Sequence, residues 1–151
     1  MDYGLFFQFD TGVTTKFEVA IFADADWAGD TRDAKSVSGA VVMINGIPIE
    51  WHSKKQSSVA LSTMEAEYVA AAVAVKDCIW SAIKVMENEM ATQRSKHINI
   101  RFHFIRDTIA KGDVVVKYCP TQEQLADIFT KPLQRVLFER LRLRLRVVSV
   151  A

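Results

Sequence analysis

SGAVVMINGIPIEW, Ser38 to Trp51, decides the fold, because it sets two apolar runs on either side of the dipeptide Asn45-Gly46. Asn-Gly tolerates the positive φ angles of a type I′ turn, whose twist matches that of two paired strands, so the stretch predicts a β-hairpin. Working back toward the N-terminus, Ala28 to Asp33 (AGDTRD) reads as a polar turn, and Phe17 to Asp26 is dominated by β-branched, aromatic and small residues. Before these, Gly4 to Phe9 is a short aromatic run that ends at the turn-like Asp10-Thr11-Gly12. Three or more antiparallel strands are therefore expected before residue 55.

Beyond the hairpin the period changes. Ser62 to about Met90 predicts one long helix, apolar on two stripes: Ala66, Val69, Ala70 and Val73 on one, Tyr68, Ala72, Val75 and Ile79 on the other. A helix with so broad an apolar surface is expected to be covered on two sides. Ser62 and Glu65 stand in the S-x-x-E relation of a capping box, which satisfies free amides in the first turn. A second helix is expected over His97 to Ile109, closed by Lys111-Gly112, then a strand over Asp113 to Cys119 ended by Pro120. A third helix is expected over Thr121 to about Thr130, with its own box from Thr121 to Gln124. Strands first, then helix, strand and helix again, is an α+β or mixed α/β layout.

The composition agrees with one globular domain: 151 residues, 50% hydrophobic, with 19 basic against 18 acidic side chains. That balance excludes a disordered or collagenous chain and points neither toward nor away from nucleic acid. Cys78 and Cys119 fall in no CxxC or Cys/His pattern, so they read as two partly buried thiols in a reducing compartment rather than a disulfide framework or zinc site. The N-terminal MDYGLFFQFD lacks a basic leader and its apolar run is broken at Gln8, unlike a secretory signal. No apolar stretch approaches the roughly 18 residues that span a bilayer, so no membrane partner and an intracellular location are expected. The last segment is locally basic, with Lys131, Arg135, Arg140, Arg142, Arg144 and Arg146 against Glu139 alone.

Four places could carry chemistry. Asp24 and Asp26 lie two apart in a strand and project on one face about 7 Å apart; they are either solvated acids at a strand end or ligands for a divalent ion. Glu67, unlike Glu65, has no capping duty and is the better functional candidate of that pair. Asp127 in QLADIF is favoured by the helix dipole but costly if buried without a partner. Lys54, Lys55 and Ser57 could contact phosphates, or form an ordinary solvated turn. His97 and His103, six apart, do not share a helical face, and Trp27, Trp51 and Trp80 read as core or sheet-edge aromatics rather than base-stacking platforms.

The segments FADADWAGD, KSVSGAVV, WHSKKQSSVALSTMEAEYVAA, KHINIRFHFIRD and YCPTQEQLADIFTKPL, in this order, resemble the ribonuclease H domain of Pol polyproteins from copia-type LTR retrotransposons. DYGLFF resembles the chain that leads into that domain from the reverse transcriptase, and the likeness runs from about Asp2 to Phe138. The resemblance implies a ribonuclease H-like mixed sheet with flanking helices, acting on the RNA strand of RNA/DNA hybrids. It further implies a two-metal mechanism, with Mg²⁺ or Mn²⁺ ions about 4 Å apart held by acidic side chains. Carried over position by position, the first-strand acid matches Asp24, the helix acid Glu67 and the last acid Asp127, as catalytic residues and metal ligands.

One family acid has no match. It belongs to a strand followed by a DNQSA-like motif, whereas here KVMENEMATQ runs directly into RSKHIN. Asp77, Asp107 and Asp113 lack the right context. A block of a few tens of residues, one central strand with its following helix, is thus expected to be deleted near residues 90–95, within a ribonuclease H-like domain of residues 1–138. Losing one shared carboxylate removes both a ligand and the charge that offsets repulsion between two dications, so hydrolysis is expected to be absent or very low. Val114 to Tyr118 is the candidate to fill the vacant strand position. Residues 139–151 depart from the family, and the Leu/Arg alternation of LRLRLR suggests a strand with one basic face. The expected function is a catalytically impaired, retrotransposon-derived domain with weak affinity for RNA/DNA hybrid. The alternatives are an active Mg²⁺-dependent hybrid ribonuclease and a co-opted, non-enzymatic interaction module.

Overall fold

The structure, a computed structural model, describes residues 2–6, 18–30, 32–87 and 108–150, with the backbone alone for residues 81–87. The junction near residues 90–95, both His97 and His103, and most of the helix expected over His97 to Ile109 lie outside the described residues. In chain order the elements are β1 (Asp2–Leu5), β2 (Val19–Asp30), β3 (Lys35–Ile44), β4 (Ile47–Lys55), α1 (Thr63–Glu87), a 3-10 helix (Leu125–Phe129), α2 (Arg135–Arg144) and β5 (Val147–Val150). This is an α+β fold. β2, β3 and β4 form an antiparallel sheet in that order, and β1 pairs antiparallel with β5 in a second, two-stranded sheet. The resemblance implies a mixed sheet; among the described residues every strand pairing is antiparallel.

The hairpin forms as its sequence dictates. Asn45 and Gly46 both take positive φ (49° and 73°), the type I′ requirement, and the Asn45 side chain accepts a bond from the Glu18 amide at 2.9 Å. Past the turn, the register jumps from Met43↔Pro48 to Val42↔Glu50, which leaves Ile49 as the extra residue of a bulge. The bulge sits beside Pro48, which has no amide to give to a ladder.

The polar stretch Ala28 to Asp33 is not wholly a turn. β2 runs on to Asp30 through a bulge between Asp26 and Asp30, and the turn is confined to Arg32–Ala34. The bulge is held by the Ala28 amide donating to the buried Ser36 hydroxyl at 3.2 Å and by the Asp26 carboxylate pressed under Gly29, where any Cβ would collide with it.

Alternation along the strands divides the two faces of the sheet. On one face lies α1, with Ala66 and Ala70 against Ala23, Ala25 and Ala60, and with Ala72 and Val75 against Ile21 and Val114. Small residues on both sides let helix and sheet approach closely. Gln56, also buried, donates to the Ser38 hydroxyl (2.8 Å) and to the Ala66 carbonyl (2.9 Å). Ser62 caps the helix, its Oγ accepting from the Glu65 amide at 3.1 Å, while the Glu65 carboxylate reaches one residue past the N-cap to accept from the Leu61 amide at 2.7 Å. On the other face Val41 and Met43 meet Leu125 of the 3-10 helix and Leu141 and Leu145 of α2 and its end, with Phe22, Leu133 and Leu137 around them.

Three expectations beyond residue 110 are corrected. Residues 114–120 carry no strand: Val114 packs on the α1 side, but Val115, Val116 and Tyr118 are exposed and the run joins no ladder among the described residues. Apolar composition alone does not make a strand; a strand needs a partner edge for its amides. The helix expected over Thr121 to Thr130 is a turn followed by the short 3-10 helix. Its start is set by Gln124 rather than Thr121, with Gln124 Oε1 accepting from the Ala126 amide at 3.3 Å and its Nε2 donating to the Ala23 carbonyl of β2 at 3.0 Å. Finally, LRLRLR is not extended: residues 141–144 end α2, and Leu145 and Arg146 form the turn after it. Leu133, Leu137, Leu141 and Leu145 recur every four residues and form the apolar stripe, a spacing that outweighs the alternation read locally. The arginines turn back onto the protein: Arg142 bonds the Val147 carbonyl (2.6 Å) and lies 4.6 Å from the Tyr3 ring centre, Arg144 bonds the Glu123 carbonyl (3.0 Å), and Arg146 bonds the Gly46 carbonyl of the hairpin turn (3.1 Å).

Candidate functional site

The 3-10 helix lies almost on the backbone of β3. A Cβ at Gly39 would fall 2.8 Å from the Ala126 carbonyl oxygen and 2.7 Å from the Thr130 methyl, so only glycine admits this approach. Gly39 is the register partner of Asp24. Docking the 3-10 helix at Gly39 therefore delivers Asp127 and Thr130 to the face of β2 that carries Asp24.

Asp24 and Asp127 come together there. Thr130 Oγ donates to Asp24 Oδ2 at 2.5 Å, and Lys131 Nζ lies 3.5 Å from the same oxygen and 3.1 Å from Asp127 Oδ1. Asp127 is 1% exposed, and its Oδ2 has no hydrogen-bond partner. Burial pushes the Asp127 carboxyl above its ordinary range, with the neighbouring Asp24 adding to the rise and Lys131 opposing it. Lys131 is itself raised, since the two carboxylates outweigh the burial that would lower it.

Glu67 does not join them. Its neighbours Ala66 and Ala70 face Ala23 and Ala25, on the side of the sheet opposite Asp24, and Glu67 is exposed. Among the described residues no group of three or more His, Cys, Asp or Glu side chains could hold a metal ion. The donor set here is two carboxylates with an ammonium already between them, which does not fit a pair of divalent ions. Lys131 and Thr130 were not singled out from the sequence, although the four-residue spacing of Asp127 and Lys131 on ADIFTK was a usable signal.

The basic residues divide. Lys55 Nζ pairs with Asp30 at 2.6 Å and Asp33 at 2.8 Å, so it ties β4 to the turn between β2 and β3. With Arg32 as the larger cause, these contacts hold Asp30 well below the usual carboxylate range. Lys54 and Ser57 are exposed at the rim of a cleft of about 210 Å³ between β4 and α1, whose helical wall carries Tyr68, Lys76 and Asp77.

Over 99% of its length the chain is 34% identical to the retrovirus-related Pol polyprotein from transposon RE2 of Arabidopsis thaliana, of which it covers 12%. The relatives that match most of the chain are retrovirus-related Pol polyproteins of transposons. The one from transposon RE1 of the same plant is 34% identical over 85% of the chain, and the one from transposon TNT 1-94 of Nicotiana tabacum 37% identical over 78%. The chain spans about a tenth of the length of each Pol polyprotein. The RE2 alignment occupies 172 positions against 151 residues here, so at least 21 positions of it face no residue of this chain. No family model matches the chain, and no solved structure matches it.

Proposed function

We propose that the protein is a retrotransposon-derived ribonuclease H-like domain that has lost metal-dependent hydrolysis and keeps a weak, sequence-independent affinity for RNA/DNA hybrid. The observation that carries this reading is the acid pair itself: two of the three carried-over acids meet, Lys131 stands between them, and Glu67 lies on the helix across the sheet. The absent DNQSA-like segment and the unmatched positions of the RE2 alignment support the same reading. Affinity for hybrid is supported by the exposed Lys54 and Ser57 at the rim of one cleft, since lysine and hydroxyl donors engage phosphates without reading bases.

The test is incubation of the purified chain with a labelled RNA/DNA hybrid in Mg²⁺ or Mn²⁺, beside the Asp24→Asn and Glu67→Gln variants. Intact hybrid, with binding that weakens steeply as salt rises, is the expected result. Cleavage that both substitutions abolish would establish the active ribonuclease instead. An absence of hybrid binding at low salt would leave the interaction-module reading.

A further inference from the structure

Two carboxylates held together in a buried place repel each other, and either a shared proton or a cation beside them relieves that repulsion. Here that cation is part of the chain. Lys131 lies just past Thr130, the C-cap of the 3-10 helix, and its amide bonds the Asp127 carbonyl at 3.2 Å. Lys131 stands four residues after Asp127, so one turn of chain returns its side chain over that acid, and Pro132 then stops the helix from continuing. Its ammonium reaches one oxygen of each acid, Asp127 Oδ1 at 3.1 Å and Asp24 Oδ2 at 3.5 Å.

A divalent ion shared by Asp24 and Asp127 would need to approach those oxygens to about 2.0–2.2 Å. An ammonium within 3.5 Å of both fills that volume, and its positive charge repels a second cation. What the ammonium leaves on Asp127 is one acceptor, Oδ2, buried without a hydrogen-bond partner. A cation could engage that oxygen if the ammonium were gone.

We propose that Lys131 is the resident cation of the Asp24–Asp127 pair, occupying the place a divalent ion would need, so that Mg²⁺ and Mn²⁺ bind there only once the ammonium is removed. The claim deepens the reading of an impaired domain and rests on it for the identity of the acids, but it concerns occupancy rather than catalysis.

The experiment is thermal unfolding of the wild type, Lys131→Arg and Lys131→Met in EDTA and in millimolar Mg²⁺ or Mn²⁺, with amide NMR spectra recorded during Mn²⁺ titration. The wild type and Lys131→Arg are expected to melt at the same temperature with and without the ion. Lys131→Met is expected to melt lower in EDTA and to recover several degrees in Mn²⁺, because a ligand that binds only the folded state stabilises it. Paramagnetic broadening around Asp24 and Asp127 is expected in Lys131→Met alone. Should Lys131→Met fail to fold in EDTA, the other two chains still decide the matter. Saturable, local broadening by Mn²⁺ in the wild type or in Lys131→Arg overturns the proposal, as does a folded Lys131→Met with no response to either ion. A wild type that binds Mn²⁺ here yet leaves hybrid intact refutes the resident lysine while sparing the impaired-domain reading; hybrid cleavage refutes that reading on its own.

Discussion

Replacing Leu141, Leu143 and Leu145 one at a time by alanine separates the helical C-terminal segment from the extended one that its alternation suggests. In a strand the three leucines would share a face and cost alike. In α2 they do not: Leu141 is fully buried and Leu145 is 6% exposed, whereas Leu143, about 200° around the helix from Leu141, is 55% exposed. A fully buried Leu→Ala change removes the transfer energy of the lost methyl groups and leaves a cavity, together ~2–5 kcal/mol. Leu141 lies between Val41 and Met43 of the sheet and Leu125 of the 3-10 helix, so its wall is built from three elements that cannot all close on the gap, which places it in the middle of that range. Leu143→Ala on the exposed side should cost about 0.5 kcal/mol or less. With a urea slope of about 2 kcal/mol per molar, a loss of ~3 kcal/mol moves the midpoint by about 1.5 M for Leu141→Ala, against about 0.25 M for Leu143→Ala. Urea titration followed by far-ultraviolet circular dichroism reads both. Equal midpoint shifts for Leu141 and Leu143, with Leu145 matching them, would refute the helical packing and restore the strand.

Two further outcomes follow from the geometry. Gly39→Ala should destabilise by ~1–3 kcal/mol, because the new methyl must displace the Ala126 carbonyl and the Phe129 Cβ, 2.8 and 2.9 Å away, in a packed interface; a midpoint equal to wild type would mean that the 3-10 helix does not dock there. At the turn, Asp30 and Asp33 are both depressed, Asp30 chiefly by Arg32 and then Lys55, Asp33 chiefly by Lys55. A depressed acid contributes stability that is present above its unfolded pKa and lost as pH falls through its folded one. Lys55→Met should therefore speed amide exchange at Arg32 to Lys35 near neutral pH, by a margin that shrinks progressively as pH falls below the ordinary carboxylate range; a margin that grows as pH falls would contradict this.

Much of the fold was legible locally. Asn45-Gly46 with apolar runs on both sides required a hairpin, because its turn geometry is set by those two residues alone, and Ser62 with Glu65 marked the start of α1 for the same reason. Asp24, Asp127 and Glu67 were all identifiable as candidate acids from the motifs that contain them. Distance along the chain is where legibility ended. The run 114–120 has strand composition but no partner edge, and the start of the 3-10 helix depends on Gln124 reaching Ala23, about a hundred positions earlier.

The sequence by itself determined the hairpin, the long helix with its cap, and the chemical types available for a site, since each depends on neighbours within a few residues. Only the tertiary structure decided which of those acids meet. That choice turns on Gly39, whose missing side chain lets the 3-10 helix settle against β3 and bring Asp127 and Lys131 to Asp24, while α1 takes Glu67 to the other side of the sheet. Likewise the last arginines and leucines acquire their roles from what they touch: the leucines need a sheet to pack on, and the arginines need carbonyls supplied by distant turns. Side-chain partnerships of this kind are set by the packing of separate elements in three dimensions, which no local pattern encodes.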